Sequence, residues 1–393
     1  MRHSHSYDVL VAGAGPAGSA AALDLSRRGL SVALIEQDRF ETRRVGETLP
    51  PMIRHQLTGL GIWERFLECG PLESYGIRTA WETSTPRHQD FVQNPYGCGW
   101  HVDRARFDAM LASAAAEAGA TVFLSARVGF CNKPADGQWA LEVAQDGSVL
   151  SLSGRMLVDA TGRKAILASR LGRRADVADR LIGAVSLSEK SEVAQWTLVE
   201  AVEDGWWYSV PLPGASTPAR EKPPRAASPP RAKPVRVGDP GAGDPGAGMV
   251  FAYMTDSDLW MENARKWDEL LQQAPLTFER AGCRRLPPPS QIVSAASVVR
   301  SPVTGPGWMA IGDAAFAFDP LSGQGVFKSI DTGVRCSLAI AKYFDGDLSA
   351  QAEYETWVQE SYRSYLSMRA QFYGSVVRWP ESRFWKRRAA GSV

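Results

Sequence analysis

The sequence is poor in the features that mark exported, membrane-spanning and metal-binding proteins. Its 5 cysteines among 393 residues are an odd number, and no two form the C-x-x-C pair of a zinc site or a redox dithiol. The opening residues, M-R-H-S-H-S-Y-D, contain no apolar signal segment. No apolar run approaches the roughly 18 residues of a membrane span. We therefore expect a reduced, cytoplasmic chain that is neither exported nor inserted into a membrane.

An excess of charge of either sign is also absent. The chain has 44 Lys and Arg residues against 43 Asp and Glu residues, a formal net charge of +1. This balance gives no reason to expect nucleic acid or an anionic membrane as a partner. The hydrophobic fraction of 44% and the charged fraction of 22% are typical of a globular protein long enough for two lobes. A small molecule or another protein is the expected partner.

Residues 7–37 predict a strand, a tight turn, a helix and a second strand. The run D-V-L-V-A predicts the first strand, G-A-G-P-A-G the turn, and S-V-A-L-I-E the second strand. In such a turn Gly13 permits the bend, Gly15 lets the backbone approach a pyrophosphate, and Gly18 lets the helix pack on the strand. The start of the helix offers free N–H groups to the phosphates, and Glu36 can accept hydrogen bonds from a ribose. The pattern predicts a Rossmann-type dinucleotide site, without distinguishing FAD from NAD.

The rest of the chain predicts a discontinuous α/β domain and a second lobe. A helix over 104–119 followed by A-T-V-F-L extends the α/β layer, and a hairpin turns at Asp146 and Gly147. Alternating segments between 181 and 298 predict an antiparallel, substrate-covering sheet. Residues 213–248, dense in Pro, Gly and Arg, predict a disordered insertion whose basic residues fit either a partner contact or a solvated loop. The tail from Leu348 is helical and aromatic.

A second motif, A-I-G-D-A-A-F-A-F-D-P-L-S-G-Q-G-V over 310–326, identifies the cofactor class. Asp313 ends a strand where it can bind ribityl hydroxyls, and Gly323 to Gly325 start a helix that can face an isoalloxazine ring. Here the chain resembles the p-hydroxybenzoate hydroxylase superfamily of FAD-dependent proteins, which includes aromatic hydroxylases, geranylgeranyl reductases and tryptophan halogenases.

Two further stretches carry the same resemblance. H-V-D-R-A-R-F-D over 101–108 is similar to the flavin-contacting D-R-x-x-F-D motif, with Arg104 as the ligand, and V-D-A-T-G-R over 158–163 is similar to the motif beside the pyrophosphate. From the residues alone, Arg104 can instead pair with Asp103 or Asp108. Asp159 and Gly162 can equally form only a strand end and a turn.

The resemblance implies a complete FAD site and a division of the chain into segments. The expected FAD-binding residues are Gly13, Ala14, Gly15, Pro16, Ala17, Gly18, Glu36, Gln37, Arg44, Gly46, Arg104, Val128, Asp159, Gly162, Gly312, Asp313, Pro320, Gly323, Gln324, Gly325 and Val326. The expected segments are a Rossmann-type FAD-binding domain over 1–74, 101–180 and 299–346, a substrate lobe over 75–100 and 181–298, and a helical C-terminal segment over 347–393. The fold class is α/β, or α+β overall.

The expected chemistry depends on four candidate catalytic residues, which are Glu47, Arg78, His101 and Pro320. The loop R-V-G-E-T-L-P-P resembles the G-E-x-x-x-P loop of halogenases and reductases, and its Glu47 is either a buried acid or a helix cap. Halogenases carry W-x-W-x-I-P, where this chain has W-W-Y-S-V-P, and their catalytic lysine is matched here by Arg78. Arginine stays protonated and delocalised, so it is poorly suited to carry an electrophilic halogen. His101 is either a proton relay or a structural histidine.

Monooxygenation is therefore the preferred reaction. In the hydroxylases that the chain resembles, an electron-rich ring attacks a flavin C4a-hydroperoxide in a dry pocket, and Pro320 would lie over the reactive face of the flavin. Phe316 and Phe318 point either to the substrate or into the core. The electrons would come from NAD(P)H or from a separate flavin reductase.

The C-terminal run F-Y-G-S-V-V-R-W-P-E-S-R-F-W-K-R-R narrows the resemblance. It is similar to short halogenase-like flavoproteins, among them enzymes that oxygenate a tryptophan of a partner protein to build a tryptophan-derived quinone cofactor. The resemblance thus implies either an aromatic small molecule or a peptidyl tryptophan as substrate. A halogenase, a geranylgeranyl-reductase-like saturase and a flavin-stabilised assembly factor remain the alternatives.

Overall fold

The computed structural model describes residues 4–133, 137–189, 195–214, 248–282 and 285–389. The strands are β1 (Ser4–Ala12), β2 (Val32–Ile35), β3 (Thr48–Leu49), β4 (Leu72–Ser74), β5 (Gly76–Ala80), β6 (Arg87–Asp90), β7 (Gly99–His101), β8 (Thr121–Phe123), β9 (Ala126–Asn132), β10 (Trp139–Gln145), β11 (Ser148–Asp159), β12 (Arg174–Val177), β13 (Leu181–Glu189), β14 (Thr197–Val202), β15 (Gly205–Pro211), β16 (Gly248–Asp256), β17 (Gln291–Ser294), β18 (Val298–Ser301), β19 (Thr304–Gly305), β20 (Trp308–Ala310) and β21 (Phe316–Ala317). The α-helices are α1 (Pro16–Arg27), α2 (Ile53–Gly59), α3 (Trp63–Glu68), α4 (Arg104–Glu117), α5 (Ile166–Arg170), α6 (Ser257–Asn263), α7 (Trp267–Gln272), α8 (Pro275–Arg280), α9 (Gly325–Phe344), α10 (Ala350–Gly374) and α11 (Arg383–Ala389).

A parallel sheet with the strand order β8-β2-β1-β11-β20 forms the centre of the first lobe. Helix α1 begins with Pro16 directly after Gly15 and ends before Gly29, which has a φ of +85°, so proline starts the helix and a left-handed glycine ends it. Helices α1, α4 and α9 bury their apolar faces in the core around this sheet. The predicted Rossmann-type α/β class is confirmed.

The hairpin of β10 and β11 turns where the sequence predicted it. Asp146 and Gly147 have φ angles of +48° and +76°, as a two-residue type I′ turn requires. This hairpin and β9 extend the sheet beyond its parallel core.

The second lobe is a seven-stranded sheet with the order β17-β13-β16-β15-β14-β5-β6. The prediction of an antiparallel sheet is correct except at one position, because β14 and β5 run parallel. This pair joins two segments far apart in the chain, which local patterning does not reveal. Residues 215–247 of the predicted insertion lie outside the described residues.

The aromatic tail packs on its own chain. Trp385 and Tyr373 contact Trp81, with ring centroids 5.4 Å and 5.6 Å apart, and the Trp385 indole N–H donates to the Val202 carbonyl at 3.0 Å. This cluster closes one face of the second sheet. No helix in the described part of the chain is both long and apolar enough to cross a membrane.

Candidate active site

A large cavity lies between the parallel sheet and the second lobe. Its volume is about 940 Å³, near the upper end of the range of about 300 to 1,000 Å³ for ligand pockets. The turn after β1, the ends of β2 and β11, and the start of α9 line one part of it. The face of the seven-stranded sheet and helix α10 line the other part, so the cavity connects a dinucleotide-type cradle with a separate chamber.

The turn after β1 forms the first half of the cradle. Gly13 has a φ of +103°, and a Cβ on Gly18 would lie 1.9 Å from the Gly13 carbonyl oxygen, so both positions require glycine for the fold itself. Gly15 is different, because no atom lies within 4 Å of the place its Cβ would occupy. Gly15 also lines the cavity and precedes α1 without any side-chain cap. The free N–H groups of α1 therefore face open space in which a phosphate can approach.

Glu36 holds this turn at the end of β2. Its Oε2 accepts the Ala14 N–H at 2.8 Å, and its Oε1 accepts the Asp38 N–H and an Arg44 N–H, each at 3.1 Å. Arg44 also donates to Asp108 at 3.1 Å. Glu36 is buried yet lines the cavity, where its carboxylate can accept further hydrogen bonds from ribose hydroxyls.

The residues after β20 form the second half of the cradle. Asp313 Oδ1 accepts the Lys328 ammonium at 2.7 Å, and Arg163 lies 3.5 Å from Oδ2. Burial alone would raise the pKa of Asp313, but Lys328 and Arg163 outweigh it and hold that pKa below its ordinary value. Asp313 is therefore an anion that can accept hydroxyl hydrogen bonds.

Helix α9 starts next to Asp313 with a glycine pair. Gly323 has a φ of +60°, and no atom lies within 4 Å of the Cβ positions of Gly323 and Gly325. Gln324, at the N-cap, provides no side-chain cap. Two uncapped helix starts thus face one cavity, which fits an elongated dinucleotide with an anionic middle.

A buried hydrogen-bond chain leads from the cavity to His101. The Tyr208 hydroxyl lies 2.6 Å from Thr48 Oγ1, which lies 3.4 Å from His101 Nδ1. Burial, and secondarily the charge of Arg280, lowers the pKa of His101 to about 3, so the imidazole is neutral at physiological pH. Tyr208 and Thr48 line the cavity, whereas His101 reaches it only through them.

Glu47 lies at the cavity wall beside the hydrogen-bonded residues Tyr208 and Thr48. Its carboxylate accepts the Gly46 N–H at 3.0 Å and is only 4% exposed. Burial raises the pKa of Glu47 above its ordinary value. The structure thus places Glu47 at the cavity as a buried acid.

Arg78 lies on the face of β5 that points away from the cavity. Ile77 and Thr79 line the cavity, and successive side chains of a strand point to opposite faces. The Arg78 guanidinium lies 3.8 Å from the centre of the Trp196 ring, and Arg280 lies 4.2 Å from the same ring. The structure therefore brings Thr79, rather than Arg78, to the cavity.

Most of the predicted site residues line the cavity. The exceptions are Ala14, Gly18, Asp159, Arg78 and His101. The buried Asp159 accepts the N–H groups of Thr161 at 3.0 Å and Ala168 at 2.7 Å, so it shapes the turn after β11. Arg104 does both things that the sequence allowed, since it lines the cavity and binds Asp108 through two hydrogen bonds of 3.1 Å.

A buried polar cluster around Asp319 was missed by the sequence analysis. Asp319 accepts the Tyr373 hydroxyl at 2.6 Å and the Leu321 N–H at 2.9 Å, and its own N–H donates to the Tyr365 hydroxyl at 2.7 Å. Arg369 Nε lies 3.4 Å from its carboxylate. The Asp-Pro dipeptide was the only available signal, because the partners lie on α10, about fifty residues further along the chain.

The chamber beside the second sheet is largely apolar. Its walls carry Val185, Val199, Trp206, Val250, Ala252, Met254 and Val293, with Trp81, Leu321 and Phe372 at its sides. Among the described lining residues the one lysine is Lys164, in the turn after β11. Such a chamber suits an apolar or aromatic group.

Comparisons with known proteins agree with a flavin site. A family profile described as "FAD binding domain" matches residues 6–361. LodB of Marinomonas mediterranea, an FAD-dependent oxidoreductase by its name, is 26% identical over 99% of this chain and 98% of its own length. The flavin-dependent halogenase armH3 of Armillaria mellea is 30% identical over 54% of this chain, which spans only 45% of that relative's length.

Two solved structures share the fold over nearly the whole chain. The flavin-dependent halogenase CmlS has a TM-score of 0.80 at 23% identity, over 98% of this chain and 68% of its own. The peptidyl tryptophan dihydroxylase QhpG has a TM-score of 0.72 at 20% identity, over 98% of this chain and 79% of its own. At these identities the likeness shows the shared fold.

Proposed function

This chain belongs to the FAD-binding-domain family of flavoproteins, and we propose that it is an FAD-dependent monooxygenase that hydroxylates an aromatic substrate. Within this proposal the preferred substrate is a tryptophan side chain of a partner protein. The name of the QhpG neighbour and the resemblance of the C-terminal run support that choice. One observation carries the proposal: an apolar chamber adjoins the dinucleotide cradle. Strand β5 contributes no amine to the wall of this chamber.

The cradle fits FAD at both of its halves. The open start of α1 at Gly15 would hold the pyrophosphate, Glu36 the adenosine ribose, and Asp313 the ribityl hydroxyls. The start of α9 at Gly325 would face the flavin ring with its helix dipole. When bound and reduced, FAD supplies the two electrons that activate O2.

The chain's own residues would position the substrate and keep water out. The reaction converts an aromatic C–H, O2, NAD(P)H and a proton into C–OH, water and NAD(P)+. Burial keeps the pKa of Tyr208 far above its ordinary value, so its hydroxyl remains neutral and can donate a hydrogen bond at the chamber wall. Glu47, with its raised pKa, can hold a proton at its carboxyl group in the same region.

The β5 wall favours oxygenation over halogenation. In the halogenases that the sequence resembles, a lysine on this strand handles the halogen, whereas β5 presents Ile77 and Thr79 to the chamber. Neither side chain has an amine that can carry an electrophilic halogen. Halogenation stays the second candidate, because armH3, at 30% identity, is a flavin-dependent halogenase.

Product masses distinguish these functions. The purified protein would be incubated in air with FAD, chloride, bromide and either NADPH alone or NADPH with a flavin reductase. Indole, free tryptophan and a tryptophan-containing peptide would serve as substrates. We expect a gain of oxygen that carries the label when ¹⁸O2 is supplied. Replacement of hydrogen by halogen, a gain of two hydrogens, or no product with a bound flavin would instead support the halogenase, the saturase or the assembly factor.

A further inference from the structure

Strand β6 is an open edge of the second sheet at the mouth of the cavity. It is the terminal strand in the sheet order, and in the described part of the chain only β5 pairs with it. All four of its residues are exposed. Native proteins usually cover or blunt such an edge, because its unpaired N–H and C=O groups are a template for another strand.

The pairing with β5 determines which main-chain groups of β6 face outward. The Phe91 N–H donates to the Tyr75 carbonyl at 2.8 Å, and the register pairs Asp90 with Gly76 and His88 with Arg78. In an antiparallel pair, hydrogen-bonded and non-hydrogen-bonded positions alternate. His88 and Asp90 therefore occupy the non-hydrogen-bonded positions, and their N–H and C=O groups point away from β5.

Every second side chain of the same strand points toward the cavity. Arg87 and Gln89 line it, opposite the lining residues Thr79 and Ile77 of β5. A strand added to β6 would lie about 4.8 Å away, and every second side chain would stand on the cavity face of the sheet. The edge and the cavity thus offer backbone pairing and a side-chain pocket together.

An apolar lip on α10 borders the cavity as well. Met368 and Phe372 line the cavity one helical turn apart, yet they are 50% and 60% exposed. The Trp81 indole N–H donates to the Phe372 carbonyl at 2.8 Å, which fixes this part of α10 to the end of β5. Exposed apolar patches mark protein contact sites or ligand-binding grooves, and this one adjoins the open edge of β6.

We infer that the partner protein docks as an extended segment that pairs with the edge of β6 and inserts its tryptophan into the chamber. This inference rests on the proposed function for the identity of the inserted side chain. Backbone pairing would supply affinity, and the chamber would supply specificity, as in other cases of strand addition. The apolar lip of Met368 and Phe372 would cover the neighbouring side chains of the segment.

The test uses the FAD-loaded protein and short synthetic peptides. Each peptide has acetyl and amide ends, a central tryptophan and flanking threonine and valine, over a strand length of about six residues. A methyl group is placed on one backbone nitrogen at a time, and the turnover of each peptide is compared with that of free indole. We expect methylation at alternate positions to lower kcat/KM about fivefold and methylation between them to have little effect, because only every second N–H faces β6.

A variant of β6 provides the matching change on the protein. His88→Pro removes one outward N–H without breaking the ladder with β5, and proline is tolerated at such edge positions. We expect about a fivefold loss of kcat/KM for the peptide and unchanged indole turnover, whereas His88→Ala keeps the N–H and serves as control. If His88→Pro folds poorly, the series of methylated peptides on the unchanged protein still tests strand docking.

The outcomes separate this inference from the proposed function. Methylation effects without a two-residue period, or oxygenation of indole with no peptide turnover, would overturn strand docking and leave the monooxygenase intact. If no oxygenated product forms, the binding of each methylated peptide to the FAD-loaded protein is measured instead. A two-residue period in those affinities would support docking and contradict the monooxygenase.

Discussion

At the level of single side chains, His101 links the stability of the fold to pH. Its imidazole is fully buried, and its Nε2 has no hydrogen-bond partner in the described part of the chain. Burial and Arg280 lower its pKa to about 3, against an ordinary value of about 6.5 in the unfolded chain. Below pH 6.5 the His101 imidazole is therefore protonated in the unfolded state but stays neutral in the native state until the pH nears 3. The stabilisation is complete above about pH 6.5 and is lost as the pH falls toward 3.

His101→Gln should remove this dependence while keeping a polar group near Thr48. Between pH 6.5 and 4.5 we expect the free energy of unfolding to fall by about 2 kcal/mol more in the unchanged protein than in the variant. Urea denaturation at several pH values measures the difference. Parallel pH profiles for the two proteins would mean that the imidazole is accessible or paired in solution.

Arg78 and Thr79 provide a test of which face of β5 serves the reaction. Arg78→Gln should lower the free energy of unfolding by about 1 kcal/mol through loss of its stacking on Trp196, with little change in turnover. Thr79→Phe places a ring in the chamber and should lower turnover about tenfold or more, because a misplaced substrate reacts slowly. A large catalytic loss in Arg78→Gln with unchanged Thr79→Phe activity would restore Arg78 as the candidate catalytic residue.

Helix α10 joins the tail to the loop that carries Pro320. The Tyr373 hydroxyl donates to Asp319 at 2.6 Å and accepts the Trp206 indole N–H at 3.0 Å, so one phenol connects the helix, the loop and the second sheet. Tyr362 lies on the same helix and is buried, but its hydroxyl has no partner in the described part of the chain. The two tyrosines thus differ in hydrogen bonding while sharing burial and helix.

We expect Tyr373→Phe to lower the free energy of unfolding by about 1 to 3 kcal/mol, because it leaves the Trp206 N–H unpaired and takes a donor from Asp319. Tyr362→Phe should be close to neutral, since it removes only an unpaired buried hydroxyl. Denaturant unfolding of both variants measures the contrast. Equal losses would show that the packing of the ring, rather than the hydroxyl, stabilises the contact between helix and loop.

Sequence patterns predicted correctly those elements that depend only on residues close together in the chain. The glycines around Gly15, the acid at Glu36 and the turn at Gly147 lie within short segments, so spacing and backbone preference suffice to place them. The Asp313 motif needed the family resemblance in addition, since a strand end with an acid is not specific by itself.

Contacts between segments far apart in the chain could not be predicted from the sequence in this way. The alternation of β5 shows that Arg78 and Thr79 point to opposite faces, but not which face meets the cavity. The partners of Asp319 lie on a helix whose docking depends on the whole chain. The parallel pairing of β14 with β5 likewise joins distant segments, and sequence periodicity carries no information about such partners.

The molecule as a whole brings two cradle halves about 300 residues apart onto one cavity. Helix α9 packs directly on α1, and a Cβ on Gly333 would lie 2.4 Å from the Ala17 carbonyl oxygen. This close contact fixes the two helix starts relative to each other through the protein core. The FAD site should therefore be largely formed before the cofactor binds. A substitution should then be able to abolish FAD binding without unfolding the protein.

Gly15 and Gly18 test this separation. Gly15→Val fills open space in the cavity, so the apo protein should stay within about 1 kcal/mol of its original free energy of unfolding. The same change blocks the approach of the pyrophosphate and should weaken FAD binding at least tenfold, measured by flavin fluorescence. Gly18→Ala places a Cβ against the Gly13 carbonyl and should lower the free energy of unfolding by about 3 kcal/mol without any cofactor.

The stability gained from added FAD tests whether the cofactor binds at the start of α1. At a free FAD concentration of about 100 times its Kd, the unchanged protein should gain about 2.7 kcal/mol. Gly15→Val should gain much less at the same concentration while unfolding normally without FAD. Retained FAD binding in Gly15→Val would mean that the cofactor does not pass over the start of α1. Failure of the apo variant to fold would mean instead that the fold itself requires glycine at position 15, as it does at Gly13 and Gly18.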